Sequence, residues 1–180
     1  FDWDESIYSQ VGIEMFNNRS LVPIWQGMTW LDKPPLVPLF YGFVIKALPF
    51  IQPEISVRIS TLILSVIVFS LIYALYYKVI KETFLTTLIL IITSTDPIFL
   101  QRSQLGNIDV FLLLGWSGYI LFYNRFWWGL FFLAVAVMSK SLVGFYPVSI
   151  MFLYHIFLYV TKKIKMKDLR KELIKLIVHA

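Results

Sequence analysis

One uncharged apolar stretch limits what this chain can fold into more than any other feature. It runs from Ile59 to Tyr77, contains no charged residue, and is followed at once by Lys78. An α-helix needs about 20 such residues to cross the hydrocarbon core of a bilayer. Over the whole chain 58% of residues are hydrophobic and 15% are charged, against about 45–50% and about 25% in soluble domains. The sequence therefore predicts an integral membrane protein.

Four further apolar segments follow, over 83–100, 109–123, 126–138 and 141–161. With the first, they predict an all-α fold: a polytopic membrane helical bundle of about five transmembrane helices in residues 54–161. The segments 109–123 and 126–138 are short for a span, so a buried hairpin is the alternative there.

The chain has no cysteine, which excludes thiolate metal sites and thiol catalysis.

Residues 1–53 are more polar than the bundle and contain six prolines. The apolar residues within Ser6–Phe16 and Leu36–Phe50 predict two short helices that lie along a membrane surface. We therefore interpret residues 1–53 as a loop on the outer face of the membrane, carrying short interfacial helices.

The basic residues are concentrated at the end of the chain. Residues 162–180 hold seven Lys and Arg against Asp168 and Glu172, which accounts for the whole net charge of +5. A basic cluster directly after an apolar span is typical of a cytoplasmic flank, so it indicates membrane lipids and not nucleic acid as the partner. Since the chain begins with Phe1 and ends without a closing signal, we expect it to be part of a longer protein.

With 162–180 in the cytoplasm, five alternating spans place residues 1–53, 101–107 and Lys140 together on the opposite face. That face would be the periplasmic or extracellular side of a plasma (inner) membrane, or a lumen. Ionisable groups at membrane depth are costly and usually mark a substrate or ion path. Charged residues from separate parts of the chain would meet there: Asp2, Asp4, Glu5, Asp32, Lys33, Arg102, Asp109 and Lys140.

Two of these groups lie in the first 53 residues. The carboxylates of Asp2, Asp4 and Glu5 could bind a divalent metal, or one could take a proton from an attacking hydroxyl; the alternative is an acidic helix start. Asp32 and Lys33 precede two prolines that fix the backbone. An acid beside a lysine suits a phosphate with a bridging metal; the alternative is a turn with a surface ion pair.

The other two groups flank predicted spans. Asp109 opens an otherwise uncharged helix, and Lys140 separates two apolar runs. Their ordinary explanations are stabilisation of a helix N-terminus and a lysine that reaches the interface. No glycine-rich nucleotide loop is present, so we expect no nucleotide cofactor.

Taken in order, these motifs resemble those of the polytopic glycosyltransferases that use polyprenyl-phosphate sugars, in the C superfamily. The most similar groups are the protein O-mannosyltransferases and the aminoarabinose transferases, and the chain would match their N-terminal portion. The matching positions are Asp4-Glu5, Tyr8, Glu14-Met15, Pro23, Asp32-Lys33-Pro34-Pro35-Leu36, Arg58, Gly106-Asn107-Ile108-Asp109 and Met138-Ser139-Lys140-Ser141 through Pro147.

The resemblance implies an inverting sugar transfer on the outer face, from a polyprenyl phosphate to a protein, lipid or glycan acceptor. Asp4, with Glu5 beside it, would match the catalytic base, and Asp32 the acid implicated in binding a divalent metal. Asp2 and Asp109 would support the cavity. The residues that would bind the donor phosphate are Lys33, Arg58, Arg102 and Lys140. Ile7, Gln104 and Ser141 depart from the pattern, which leaves the sugar open.

Two other functions fit the same charged face. A transporter or flippase of lipid-linked sugars would use the cavity without cleaving a bond. A non-catalytic membrane subunit would keep the scaffold alone.

Overall fold

The computed structural model describes residues 3–179, which form an all-α structure with one small hairpin. The α-helices are α1 (Trp3–Asn17), α2 (Leu36–Ala47), α3 (Pro53–Ile80), α4 (Thr83–Ser94), α5 (Pro97–Gln104), α6 (Asp109–Phe122), α7 (Phe126–Lys140), α8 (Tyr146–Val160) and α9 (Met166–His179). A 3₁₀ helix (Ser141–Phe145) joins α7 to α8, and strands β1 (Ile24–Trp25) and β2 (Met28–Thr29) pair antiparallel. The predicted all-α class is confirmed.

By length and composition, two helical stretches in residues 3–179 could cross a membrane. They are α3, with 28 residues, and the 35 residues Phe126–Val160; the bent pair of α4 and α5 would be a third if it acts as one span. The apolar stretch predicted at Ile59–Tyr77 lies within α3. These helices are consistent with a membrane protein.

The predicted segment 83–100 is divided in two. Pro97 occupies the first turn of α5, and the Asp96 carboxylate accepts the N–H groups of Ile98 and Phe99 at 2.9 and 3.1 Å. A capping Asp followed by proline is a strong helix start. The result is a 77° bend between α4 and α5.

The stretch from α7 to α8 also changes direction, close to Lys140. Ser141 has a φ of +47°, and Gly144 lies so close to the backbone of Val137 that an added Cβ would overlap it. Residues seven apart cannot approach in this way along one straight helix. Lys140 is therefore the last residue of α7 and sits at a turn.

Helix α1, predicted to lie on a surface, instead buries one face against α2. Its buried residues include Tyr8, Val11 and Met15. The helices cross where two glycines meet: a Cβ on Gly12 would lie 2.7 Å from the backbone N of Gly42. The missing side chains allow the two backbones to touch, which positions the start of α1 over the bundle.

Adding a side chain at the crossing of Gly12 and Gly42 should push α1 and α2 apart. Gly12→Val is expected to lower the free energy of unfolding by about 3 kcal/mol, at the upper end for overpacking, because its Cβ would meet backbone atoms that cannot move aside. Gly27→Asn is the matched control, since Gly27 has open space around it and Asn tolerates a positive φ. Thermal unfolding in detergent measures both, and equal stability of the two variants would contradict the crossing.

Candidate functional site

Three of the predicted residues meet at one end of the bundle. The Asp109 carboxylate, at the start of α6, lies 3.2 Å from Lys140 Nζ and 3.6 Å from Arg102 Nε. All three side chains are partly exposed, at 30%, 37% and 41%. One carboxylate between two cations leaves a net positive charge that can attract an anionic group. We call these three residues the cation cluster.

Local packing explains why these residues meet. Helices α6 and α7 run antiparallel and touch through Gly115, where a Cβ would lie 2.6 Å from that of Ala136. This close contact brings the last residue of α7 to the first of α6. Asn107 connects the third member, since its Oδ1 accepts the Asp109 N–H at 2.8 Å and its Nδ2 donates to the Arg102 carbonyl at 2.7 Å.

A cleft of about 490 Å³ brings together the predicted residues of the first 53. Asp4, Asp32 and Lys33 all line it. Aromatic rings form much of the remaining wall: Trp3, Tyr8, Trp25 and Trp30. Two acids and one base in an aromatic cleft can hold a polar ligand that also has apolar faces. We call it the acidic cleft.

Tyr8 connects the acidic cleft to the cation cluster. Burial raises the pKa of the Tyr8 hydroxyl to about 12, assisted by the negative charges of Asp4 and Asp109, whereas Arg102 acts in the opposite direction. The charges of Asp4, Asp109 and Arg102 thus all act on the Tyr8 hydroxyl. Tyr8 remains a neutral hydrogen-bond donor at pH 7.

Glu5 and Arg58 form a buried contact elsewhere and are not among the described residues that line the acidic cleft. Glu5 is fully buried, and Arg58 donates to its two oxygens at 3.3 and 3.2 Å. The Gly106 N–H donates to Glu5 at 3.1 Å, and Arg58 also pairs with Glu54 at 2.8 Å. Glu5 thus ties α1 to α3 and to the loop before α6. Asp2 lies outside the described residues.

The described residues contain no group of three or more His, Cys, Asp or Glu that could hold a metal. Asp4 and Asp32 do share the acidic cleft. Mg²⁺ is commonly bound by one or two carboxylates together with substrate phosphate and water. One of these carboxylates could therefore hold a metal that a phosphate ligand also binds, which leaves the other free to accept a proton.

Sequence reasoning named Glu14 only as a matching position and missed the hairpin that it fixes. Gln26 and Gly27 have φ values of +52° and +78°, as in a two-residue type I′ turn. The Glu14 carboxylate accepts the N–H groups of both residues at 3.1 Å. This holds Trp25 in the wall of the acidic cleft. The Gln-Gly dipeptide between short apolar runs was the available signal.

The hairpin contact should depend on pH. Some burial raises the pKa of Glu14, but hydrogen bonds from Gln10, Gly27 and Gln26 outweigh it and lower the pKa below its ordinary value. A lowered folded pKa means that the stabilisation is complete above the unfolded pKa and is lost as pH falls through the folded one. We expect the Gly27 amide resonance to titrate with a midpoint below the ordinary value of about 4.3. Glu14→Gln should abolish the titration, and Gln10→Ala should raise its midpoint. A midpoint above 4.5 in the wild-type protein would contradict the contact.

An apolar groove of about 630 Å³ reaches the cation cluster from the side. Residues of α4, α5 and α6 line it, including Ile92, Phe99 and Trp116, and so do Arg102 and Asp109. A groove with apolar walls and charged residues suits a molecule with an apolar tail and an anionic head.

The opposite end of α7 carries the basic tail. Lys175 of α9 donates to Asn124 at 2.9 Å, just before α7 begins at Phe126. A 15-residue helix is about 22 Å long at 1.5 Å per residue, so Lys140 and Lys175 lie near opposite ends of α7. The side of a membrane that each end faces stays a prediction.

No model of a known protein family matches the chain, and neither a curated protein nor a solved structure matches it. The structure defines a helical protein with apolar, membrane-length helices and a charged site at one end.

Proposed function

We propose that this protein is an integral membrane glycosyltransferase that moves a sugar from a polyprenyl-phosphate donor to an acceptor hydroxyl or phosphate. One observation carries the proposal: Asp4, Asp32 and Lys33 line one cleft, and Tyr8 in that cleft feels the charges of Asp109 and Arg102. Carboxylates that could accept a proton thus lie beside cations that could bind a phosphate.

The donor fits the surroundings of the cation cluster. Its phosphate would be bound by Lys33, Arg102 and Lys140, and its polyprenyl tail by the apolar groove of α4, α5 and α6. Negative charge develops on the phosphate as the sugar leaves, and fixed cations stabilise it. A divalent metal bound by Asp32 would add to that stabilisation.

The chemistry that we propose is a single displacement. The acceptor oxygen attacks the anomeric carbon, and the bond between that carbon and the phosphate oxygen breaks with its electron pair on the phosphate. The acceptor's proton passes to the Asp4 carboxylate. A base on the side opposite to the leaving phosphate gives inversion, as in inverting glycoside hydrolysis.

The remaining predicted residues have positioning roles. Glu5 and Arg58 hold α1 against α3 and so place the adjacent Asp4.

In the proposed topology the chain is polytopic, with about five spans and residues 1–53 on the outer face. Single cysteines at Leu31, Leu142 and Lys163 test this with an impermeant thiol reagent, since Leu31 and Leu142 are 76% and 83% exposed. Labelling of the first two from outside and of Lys163 only after permeabilisation would support it.

A transfer assay in proteoliposomes separates the enzyme from the transporter. We expect labelled sugar to leave the polyprenyl-phosphate donor and free polyprenyl phosphate to accumulate. Movement of intact donor across the bilayer without cleavage would contradict the proposal and favour a flippase. Neither cleavage nor movement would favour a non-catalytic subunit.

A further inference from the structure

A second open cleft, of about 570 Å³, adjoins the acidic cleft and has no part in the proposed donor site. The two clefts share the side chains of Trp3, Ile7 and Trp25 as a common wall. Asp4 lies next to that wall, in the acidic cleft. A ligand in the second cleft would therefore lie close to the proposed base.

The second cleft differs from the first in charge. Its described lining residues are all uncharged, and they combine two tryptophans with small polar groups: Ser6, Ser9, Gln10 and Gln26. Aromatic rings pack against the apolar C–H faces of sugar rings, and amides and hydroxyls can both donate to and accept from sugar hydroxyls. The lining thus suits a neutral, hydroxyl-rich ligand.

The two glutamines are the second observation. Gln26 lies in the turn, where its N–H donates to the Glu14 carboxylate at 3.1 Å, and Gln10 Nε2 donates to the same carboxylate at 2.8 Å. Glu14 thus holds both glutamines at the cleft that they line. Their amide oxygens can accept from the hydroxyls of a ligand.

We propose that the second cleft binds the acceptor and that the acceptor is a neutral glycan. This inference rests on the proposed function, because only a sugar transfer needs an acceptor beside Asp4. The shared wall of Trp3 and Trp25 would carry the acceptor ring on one side and the donor sugar on the other. The attacking hydroxyl would reach the donor past Trp3.

Two substitutions remove ligand contacts and keep the fold. Gln10→Ala removes a side-chain amide from α1, and alanine is the better helix former. Gln26→Gly removes the side chain at a position with a positive φ, which glycine adopts readily. Gln101→Ala is the matched control, because Gln101 is an exposed glutamine of α5 that does not line the cleft.

Binding is measured by saturation-transfer NMR on the protein in lipid nanodiscs, with maltohexaose, cellohexaose and mannohexaose as neutral glycans and a Ser/Thr-rich peptide as comparison. We expect at least one hexasaccharide to bind, with a Kd at least fivefold weaker in Gln10→Ala and Gln26→Gly and unchanged in Gln101→Ala. Binding of the peptide alone, or of glycans equally to all variants, would overturn the proposal.

Donor cleavage by the same samples separates the two proposals. Sugar transfer that is intact in the wild type and insensitive to both Gln10→Ala and Gln26→Gly would overturn the glycan cleft and leave the proposed function standing. Glycan binding without any donor cleavage would overturn the acceptor role together with the proposed function.

Discussion

Replacing Asp4 with asparagine is expected to lower the rate of sugar transfer by about 10²- to 10⁴-fold, the usual contribution of a positioned general base. The side chain keeps its size and loses its proton-accepting charge. Because Asp4 lines the acidic cleft with Asp32 and Lys33, the substitution removes the proposed base and leaves the cations in place. Single-turnover transfer from labelled donor measures the effect.

Donor binding separates a base from a binding residue. We expect the donor Kd to change less than threefold in Asp4→Asn, and Asp4→Glu to recover part of the rate. Asp168→Asn, at an exposed position of α9, is the matched control and should transfer at the wild-type rate. Full activity in Asp4→Asn, or a rate loss explained entirely by weaker donor binding, would contradict the role of Asp4.

Local sequence patterns predicted the helices well, because each carries its own signals. The uncharged run at 59–77 lies within α3, and Asp109 begins α6 as expected of an acid at a helix N-terminus. The burial of α1 could not be predicted in this way. It depends on Gly12 meeting Gly42 across two helices, a contact that neither local sequence reveals.

Part of the site was also predictable. The alternation of spans brought Arg102, Asp109 and Lys140 to one face, and the structure places them in one cluster. The prediction that Asp4 and Glu5 form a catalytic pair did not say which of the two lines the cleft. Consecutive residues of a helix do not share a face, so only one of the two can point into the cleft, and only packing decides which.

Removing Glu5 should destabilise the protein, because a buried backbone donor loses its acceptor. Glu5→Ala is expected to lower the free energy of unfolding by about 1–3 kcal/mol, the cost of leaving a buried polar group unsatisfied. Arg58 would lose a partner that is fully buried, and the Gly106 N–H would lose its acceptor. Chemical unfolding in detergent measures the change.

Glu54→Ala is a matched control, because Glu54 pairs with the same Arg58 guanidinium but is 35% exposed and lies on the same helix. Exposed pairs of this spacing contribute about 0.3–0.5 kcal/mol, so this variant should stay close to wild type. The contrast tests burial with the cationic partner held constant. Equal losses of unfolding free energy in the two variants would mean that the link from Glu5 to Arg58 and Gly106 does not hold α1 in place. Asp4 would then be positioned by the crossing at Gly12 alone.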